Sequence, residues 1–438
     1  MNYKIVLQSK LFKIISGTFA IRILTVGISF LSSVLLARFL GVEGFGVYSY
    51  VFALVSLLAL PTQAGLPTLI LRETAKAHKL CDWSIMKGIW LWGGVITALL
   101  STAIFFIAIV FQRYLFTDIP GGTSLFILGL ILSLLVAMGN VRGAALRGLG
   151  HVIKGQLPEN LLRPLFLIVF LASAYLINYS INPIAVMSMH LIAAAMAFLI
   201  GAWLLFNVKP IELKSVKPIV KNKIWFLSII PLAIMSGIQS INGQIDILML
   251  GALSSLKDVG VYKVVLSGAA LTLFGLQAVN TALTPRIAGS FAENNLLDLQ
   301  KIASIGSLIS FAFTIPMVLV LYFWGAEILA IFFGKEFIVG YNALLIICLG
   351  QMVNAFFGSS ITLLTMSSNE KFVIQGMFLS AIMNTILDFL LIPQMGVNGA
   401  AISVACSLVI WNVYLWFQIK RNIDIDSTFI WLLLRKFK

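Results

Sequence analysis

Twelve apolar runs, each about as long as a lipid bilayer core is thick, are separated by short segments that hold nearly all of the charge. A spanning helix needs about 20 apolar residues, and the runs lie at 14–37, 45–67, 88–111, 122–141, 158–177, 184–206, 224–250, 259–283, 304–324, 340–366, 372–393 and 397–419. Apolar residues make up 60% of the 438-residue chain and charged residues 11%, against roughly 25% charged in a soluble domain. A soluble globular protein is excluded. The first run follows Lys4, Lys10 and Lys13 as a signal peptide would, but it exceeds the roughly 7–15 residues of a signal-peptide apolar region. It is expected to stay as the first of twelve transmembrane helices in an all-α polytopic membrane protein.

With a cytoplasmic N-terminus, the segments on the inner side carry 23 of the 30 Lys and Arg residues and the outer ones only 5, counting Lys263 at the outer end of the 259–283 run. The positive-inside rule therefore predicts both termini in the cytoplasm. The two remaining bases, Arg22 and Arg163, fall inside spans. The net charge of +14 is spread between apolar segments and not gathered on one soluble face, so nucleic acid is not an expected partner. Cys81, Cys348 and Cys406 have no CxxC spacing, and neither a disulfide framework nor a metal centre is indicated. No outer loop exceeds about 15 residues by this reading, and the chain shows no acid/base constellation, so an enzyme is not expected. The patch Phe429–Leu434 is too short to span and is expected at the membrane interface.

Sliding the chain by 214 residues lays Gly46-Val47-Tyr48 on Gly260-Val261-Tyr262, Gln63-Ala64 on Gln277-Ala278 and Arg72 on Arg286, with 9 identities in 27 positions. The sequence thus predicts two six-helix lobes, 1–206 and 224–419, joined by a basic cytoplasmic linker at 207–223 and followed by a cytoplasmic tail at 420–438. Six is even, so the lobes are parallel repeats about a pseudo-twofold axis along the membrane normal, the arrangement used for rocking about a central site. The same offset lays Arg22, Thr25, Ser29 and Ser32 on Ser236, Gln239, Gly243 and Asp246. With Asn242 these form polar stripes at helical spacing on the first and seventh helices. They either line a hydrated cavity or provide small residues for close helix packing.

The stretch Ala37-Arg38-Phe39-Leu40-Gly41-Val42-Glu43-Gly44-Phe45-Gly46-Val47-Tyr48, the segment Leu146-Arg147-Gly148-Leu149-Gly150, and the region Asn384–Ala401 with Asp388, Pro393, Gly396 and Gly399 resemble the polysaccharide transporter family. That family belongs to the multidrug/oligosaccharidyl-lipid/polysaccharide exporter superfamily, and the chain is most similar to O-antigen type lipid-linked oligosaccharide flippases. The resemblance implies an alternating-access flippase moving undecaprenyl diphosphate-linked oligosaccharide from the inner to the outer leaflet of a bacterial inner membrane. It also implies partnership with a polysaccharide polymerase machinery, no cofactor, and H⁺ or Na⁺ as the coupling ion. Lipid II flippases have fourteen helices where this chain has twelve apolar runs. Cation-coupled multidrug antiporters, the alternative on the same fold, place a carboxylate inside the N-terminal lobe. Here Glu159 is read as lying near a helix start and Glu43, Glu73, Asp82 and Asp118 in loops, so no such acid is expected.

For an anionic substrate, Arg22 offers paired hydrogen bonds to a diphosphate from about 13 Å along the helix beyond Lys13. The alternative is an arginine that snorkels to the surface or pairs with Asp246. Arg72, Arg286, Arg142 and Arg147 are candidates for a basic mouth, or simply topology-setting charges. Gln63 and Gln277 either read sugar hydroxyls or link helices. Asp246 and Asp388 are candidate coupling-ion sites, with Asn384 one turn before Asp388 as a structural partner. His190 is read as a packed polar residue, and Pro61, Pro231 and Pro316 as helix bends. If the two polar stripes face water, cysteines placed singly at Thr25, Ser29, Gln239 and Asn242 should react with small water-soluble thiol reagents. Four inert thiols would reject the cavity.

Overall fold

The computed structural model describes the backbone of residues 2–63, 65–115, 121–293 and 295–435, and the side chains of these except 2–19, 113–115 and 433–435. Lys4, Lys10, Lys13, Ala64 and Asp118, together with Leu433 and Leu434 of the terminal apolar patch, have side chains outside that description. The described chain is helical with no strands. This is the expected response to hydrocarbon, where a helix satisfies every backbone N–H and C=O within its own segment.

Among the described residues, ten helices are long and apolar enough to cross a membrane, and the pair Leu256–Ala269 and Phe274–Ala292, bent by 48°, forms an eleventh. The helix Asn2–Leu58 is interrupted at Gly41 (φ 66°, ψ −178°). A left-handed φ is open to glycine without a Cβ penalty, so the first two expected spans separate there. With that break, the described helices accommodate the twelve expected spans. Several spans are themselves broken. The second ends as a long helix at Leu58 and continues through short Leu60–Gln63, which contains Pro61, while the seventh runs as Asn222–Asn242 and Ile245–Leu253. Pro231 and Pro316 sit inside helices as read from the sequence.

The chain forms two compact units, and their boundary differs from the expected one. The first holds Met1–Leu40 and Val47–Gln244, the second Gly41–Gly46 and Ile245–Lys438. The Asn222–Asn242 helix, assigned by its sequence to the second lobe, packs into the first unit. Fully buried Trp225 joins the core of Leu66, Leu69, Ile70 and Ile89, with its ring 5.3 Å from that of Trp92. Gly65, with φ 74°, permits the approach, since a Cβ there would lie 2.7–2.8 Å from Leu232 and Ala233. The basic segment expected as a linker is also docked. Leu213 is buried against Met86 and Leu149, Ile219 N donates to the Ser84 carbonyl at 3.0 Å, and Lys87 Nζ donates to the Val216 carbonyl at 2.9 Å.

Within the second unit, the segment Gly41–Gly46 packs closely on its repeat counterpart. A Cβ on Gly46 would meet the Leu256 carbonyl oxygen at 1.7 Å, and one on Gly260 would meet the Val42 oxygen at 2.1 Å. The glycines of the Gly-Val-Tyr repeat are thus close-packing positions.

The tail is pinned to the second unit. Gln300 donates to the Asp426 carbonyl and accepts from the Asp426 N–H, both at 2.6 Å, while Phe429 packs 5.2 Å from the rings of Phe311 and Phe356. Gln300→Ala would remove both bonds to the partly buried Asp426 backbone, leaving its N–H unpartnered and its carbonyl with Ser304 Oγ alone at 3.5 Å. At about 1–3 kcal/mol per unsatisfied group, the thermal midpoint of the purified protein should drop and trypsin cleavage at Lys420 and Arg421 should accelerate. An unchanged midpoint with unchanged cleavage would contradict this lock.

Candidate functional site

In the first unit, the Gly122–Gly148 helix carries Arg142, and a π-helical turn over Pro158–Leu162 introduces the Arg163–Leu176 helix. The wider turn directs Glu159 inward, where single-turn π segments frequently mark functional sites. Arg142 Nη2 donates to Glu159 Oε1 at 3.0 Å, its Nη1 donates to the Phe198 carbonyl, and its guanidinium lies 5.1 Å from the Phe198 ring centre. Glu159 Oε2 faces Arg163 Nη1 at 4.0 Å. Gly139 and Gly201 provide the space: a Cβ on the first would lie 2.0 Å from Glu159 Oε1, and on the second 2.2 Å from the Arg142 guanidinium carbon.

Two arginines around one glutamate leave one positive charge. The Arg142 and Glu159 side chains are only 6% and 7% exposed, whereas Arg163 is 22% exposed and lines a cavity of about 340 Å³. Amides and hydroxyls from Gln63, Ser56, Ser133, Gln239, Ser240 and Gln244 share that lining. Asn140 Nδ2 donates to Gln63 Oε1 at 2.9 Å, which leaves the Gln63 amide group as a donor in the wall. The cavity therefore presents one cation and several neutral hydrogen-bonding groups, a lining suited to an anion bearing hydroxyls. His190 is packed, its Nδ1 2.7 Å from the Tyr48 hydroxyl and its ring stacked on Phe52.

In the second unit, the repeat-related tyrosine contacts an acid. Tyr262 donates to Asp246 Oδ2 at 3.1 Å, and Asn384 Nδ2 donates to Asp246 Oδ1 at 2.5 Å and to Asp388 Oδ2 at 3.2 Å. Two carboxylates that accept from the amide set it with its nitrogen toward the acids, and its oxygen lies 3.2 Å from Ser407 Oγ, whose one proton is shared with the Val404 carbonyl at 2.8 Å. Both carboxylates are buried, Asp388 Oδ1 has no hydrogen-bond partner, and neither has an ion-pair partner among the described residues. Two negative charges in such surroundings call for a proton or a small cation. The Asn384–Asp388 pair anticipated as structural exists, and the same amide ties Asp388 to Asp246.

The structure thus brings Gln63 and Gln239 to one cavity and Asp246 and Asp388 to one cluster. The other candidates are not among the residues that line that cavity or bond within that cluster. Arg22 and Ser29 are exposed, and Thr25 Oγ1 donates to the Ile21 carbonyl at 2.8 Å within its own helix. Arg72 is exposed with Nε 3.2 Å from Glu73, and Arg286 is exposed. Arg147 Nε reaches the Gly143 carbonyl at 3.4 Å, Asn242 Oδ1 is buried, and Gln277 is half-buried on the Phe274–Ala292 helix. Arg142 is no part of an open mouth, because Glu159 and Phe198 hold it inside. Glu159 itself corrects the expectation that the first lobe lacks a buried acid, although its charge is neutralised locally. Sequence reasoning noted Arg163 inside a span without giving it a role. The signal was available as an acid and a base four residues apart in an apolar segment.

A family model described as Polysaccharide biosynthesis protein matches residues 12–291, and one described as MatE matches 231–390. The Probable low-salt glycan biosynthesis flippase Agl15 of Haloferax volcanii is 24% identical over 403 residues, covering 90% of this chain and 80% of that protein. Capsular polysaccharide biosynthesis protein CapF of Staphylococcus aureus is 25% identical over 228 residues, or 51% and 56% of the two chains. Two solved structures share the fold. An inward-facing multidrug resistance MATE family transporter has a TM-score of 0.77 at 14% identity (92% of this chain, 94% of that one), and the lipid II flippase MurJ, inward closed, 0.71 at 15% (94% and 87%).

Removing the shared acid tests the first-unit cluster. Glu159→Ala should destabilise the protein by about 3–5 kcal/mol, the cost of leaving a buried charge unpaired, and Glu159→Leu with Arg142→Met should recover much of the loss in thermal unfolding. Equal stability of wild type and Glu159→Ala would refute the pairing. The model match over residues 12–291 covers more than half of the chain, and the chain belongs to the polysaccharide biosynthesis protein family, a polysaccharide transporter family of the multidrug/oligosaccharidyl-lipid/polysaccharide exporter superfamily.

Proposed function

We propose that the protein is a flippase for lipid-linked glycan precursors, specifically undecaprenyl diphosphate-linked oligosaccharides carried from the inner to the outer leaflet of a bacterial inner membrane. One observation carries this reading: the first-unit cavity is walled by the partly exposed Arg163 of a net-positive cluster and by neutral amides and hydroxyls. The guanidinium suits a diphosphate and the amides suit sugar hydroxyls. A cation-coupled drug antiporter needs the opposite sign at this place, and Glu159 is already neutralised. The flippase names of relatives in this superfamily support the same reading. Both termini are cytoplasmic on the distribution of Lys and Arg.

Alternating access requires a ligand that binds two states unequally. The Asp246–Asn384–Asp388 cluster is the proposed coupling site, taking H⁺ or Na⁺ on its carboxylate oxygens beside the Tyr262 hydroxyl. Outward passage of two negative charges gains roughly 2.3 kcal/mol per charge per 100 mV of inside-negative potential. Each arginine that moves with the diphosphate lowers that gain by the same amount.

The test is reconstitution with fluorescent lipid-diphosphate oligosaccharide, scored by protection from an added glycosidase. Arg163→Gln should slow flipping about 10- to 100-fold, the worth of one charge-assisted bond. Arg22→Ala, at the other arginine inside the apolar runs read from the sequence, should also impair it. Asp246→Asn should reduce multiple turnover under an ion gradient more than first binding. Wild-type rates from correctly inserted Arg163→Gln would overturn the anion assignment, and wild-type turnover by Asp246→Asn would remove the acid pair from coupling.

A further inference from the structure

A second cavity in the first unit, about 410 Å³, is almost wholly apolar and is lined by Trp90, Met138, Phe198, Leu205 and Phe206. It follows one face of the Pro183–Val208 helix, where Phe198, Ala202, Leu205, Phe206 and Lys209 recur at helical spacing. Neighbouring positions on the same helices, such as Val95, Leu99, Leu199 and Trp203, are large, apolar and exposed, as residues that face lipid are. Phe198 and Lys209 are eleven residues apart, about 16 Å along a helix. Half of a bilayer core of about 30 Å is about 15 Å, so the slot is one leaflet deep.

Its two ends differ in character. At one end Lys209 lies with its Nζ 4.0 Å from the Phe206 ring centre, next to the docked segment that also carries Lys214, Lys217 and Lys221. At the other end is Arg142, buried, whose Nε has no hydrogen-bond partner and whose guanidinium lies over Phe198. Basic pockets between membrane helices bind anionic lipid head groups.

We propose that this slot is a binding site for an anionic phospholipid of the leaflet on the Lys209 side, with one acyl chain against Phe198 and Leu205 and the phosphate at Lys209. The occupant touches the cluster that also serves the polar cavity. Arg142 forms the wall of the slot, Arg163 the wall of the cavity, and Glu159 contacts both. Lipid composition therefore reaches the transport site through one carboxylate.

Native mass spectrometry of the purified full-length protein, with phosphatidylglycerol or phosphatidylcholine added, reads occupancy. Phosphatidylglycerol should be retained in preference, Lys209→Glu should lower its retention roughly tenfold, and Ala202→Trp should block the slot. Wild-type protein provides a second measurement that needs no variant: phosphatidylglycerol with a diazirine at its chain end should label residues 138–145 and 198–206. Equal retention of the two lipids, labelling confined to other helices, or displacement of the probe by a polyprenyl diphosphate would each overturn the assignment, the last by giving the slot to the transported lipid.

Discussion

Hydrocarbon offers a charged side chain neither water nor counter-ions, so every ion in a spanning segment must be matched within the protein or cost several kcal/mol. The first unit meets this constraint with Glu159 between Arg142 and Arg163. Much of the local structure follows. The π-helical turn directs the carboxylate inward, Gly139 and Gly201 vacate the volume it and Arg142 need, and the Phe198 carbonyl and ring take up the remaining face of Arg142. Because the match is two against one, a positive charge is left over, and it falls on the arginine with access to the polar cavity.

The second unit handles charge in the opposite way. It buries two acids that form no ion pair among the described residues and links them through one amide. Repeat-related Tyr48 and Tyr262 each contact a titratable group, His190 in the first unit and Asp246 in the second. Positions related by the 214-residue offset thus carry dissimilar chemistry.

The spans and the family were legible because each rests on a pattern that is long or distinctive: apolar runs, and glycine-rich segments after the first and fourth helices. Asp246 and Asp388 were legible as isolated acids in apolar sequence, though their meeting through Asn384 was not, since 138 residues separate Asp246 from Asn384. Three things escaped. The π turn has no apolar periodicity of its own, so Glu159 read as a residue near a helix start. The docking of Asn222–Asn242 depends on Gly65 and Trp225, whose partners are set by tertiary packing. Arg142 read as a surface base because inner helix ends are where topology places bases, and only the fold shows that it turns inward.

The central claim is that the Arg163 cavity receives the anionic head of a glycan lipid. A photoreactive amino acid at Ser133, which lines that cavity, tests it directly in membranes supplied with radiolabelled lipid-diphosphate oligosaccharide. The account predicts a crosslink that unlabelled lipid diphosphate removes and a cationic drug leaves intact. A crosslink competed by the cationic drug but not by the lipid diphosphate would contradict it, as would labelling that is unaffected by Arg163→Gln.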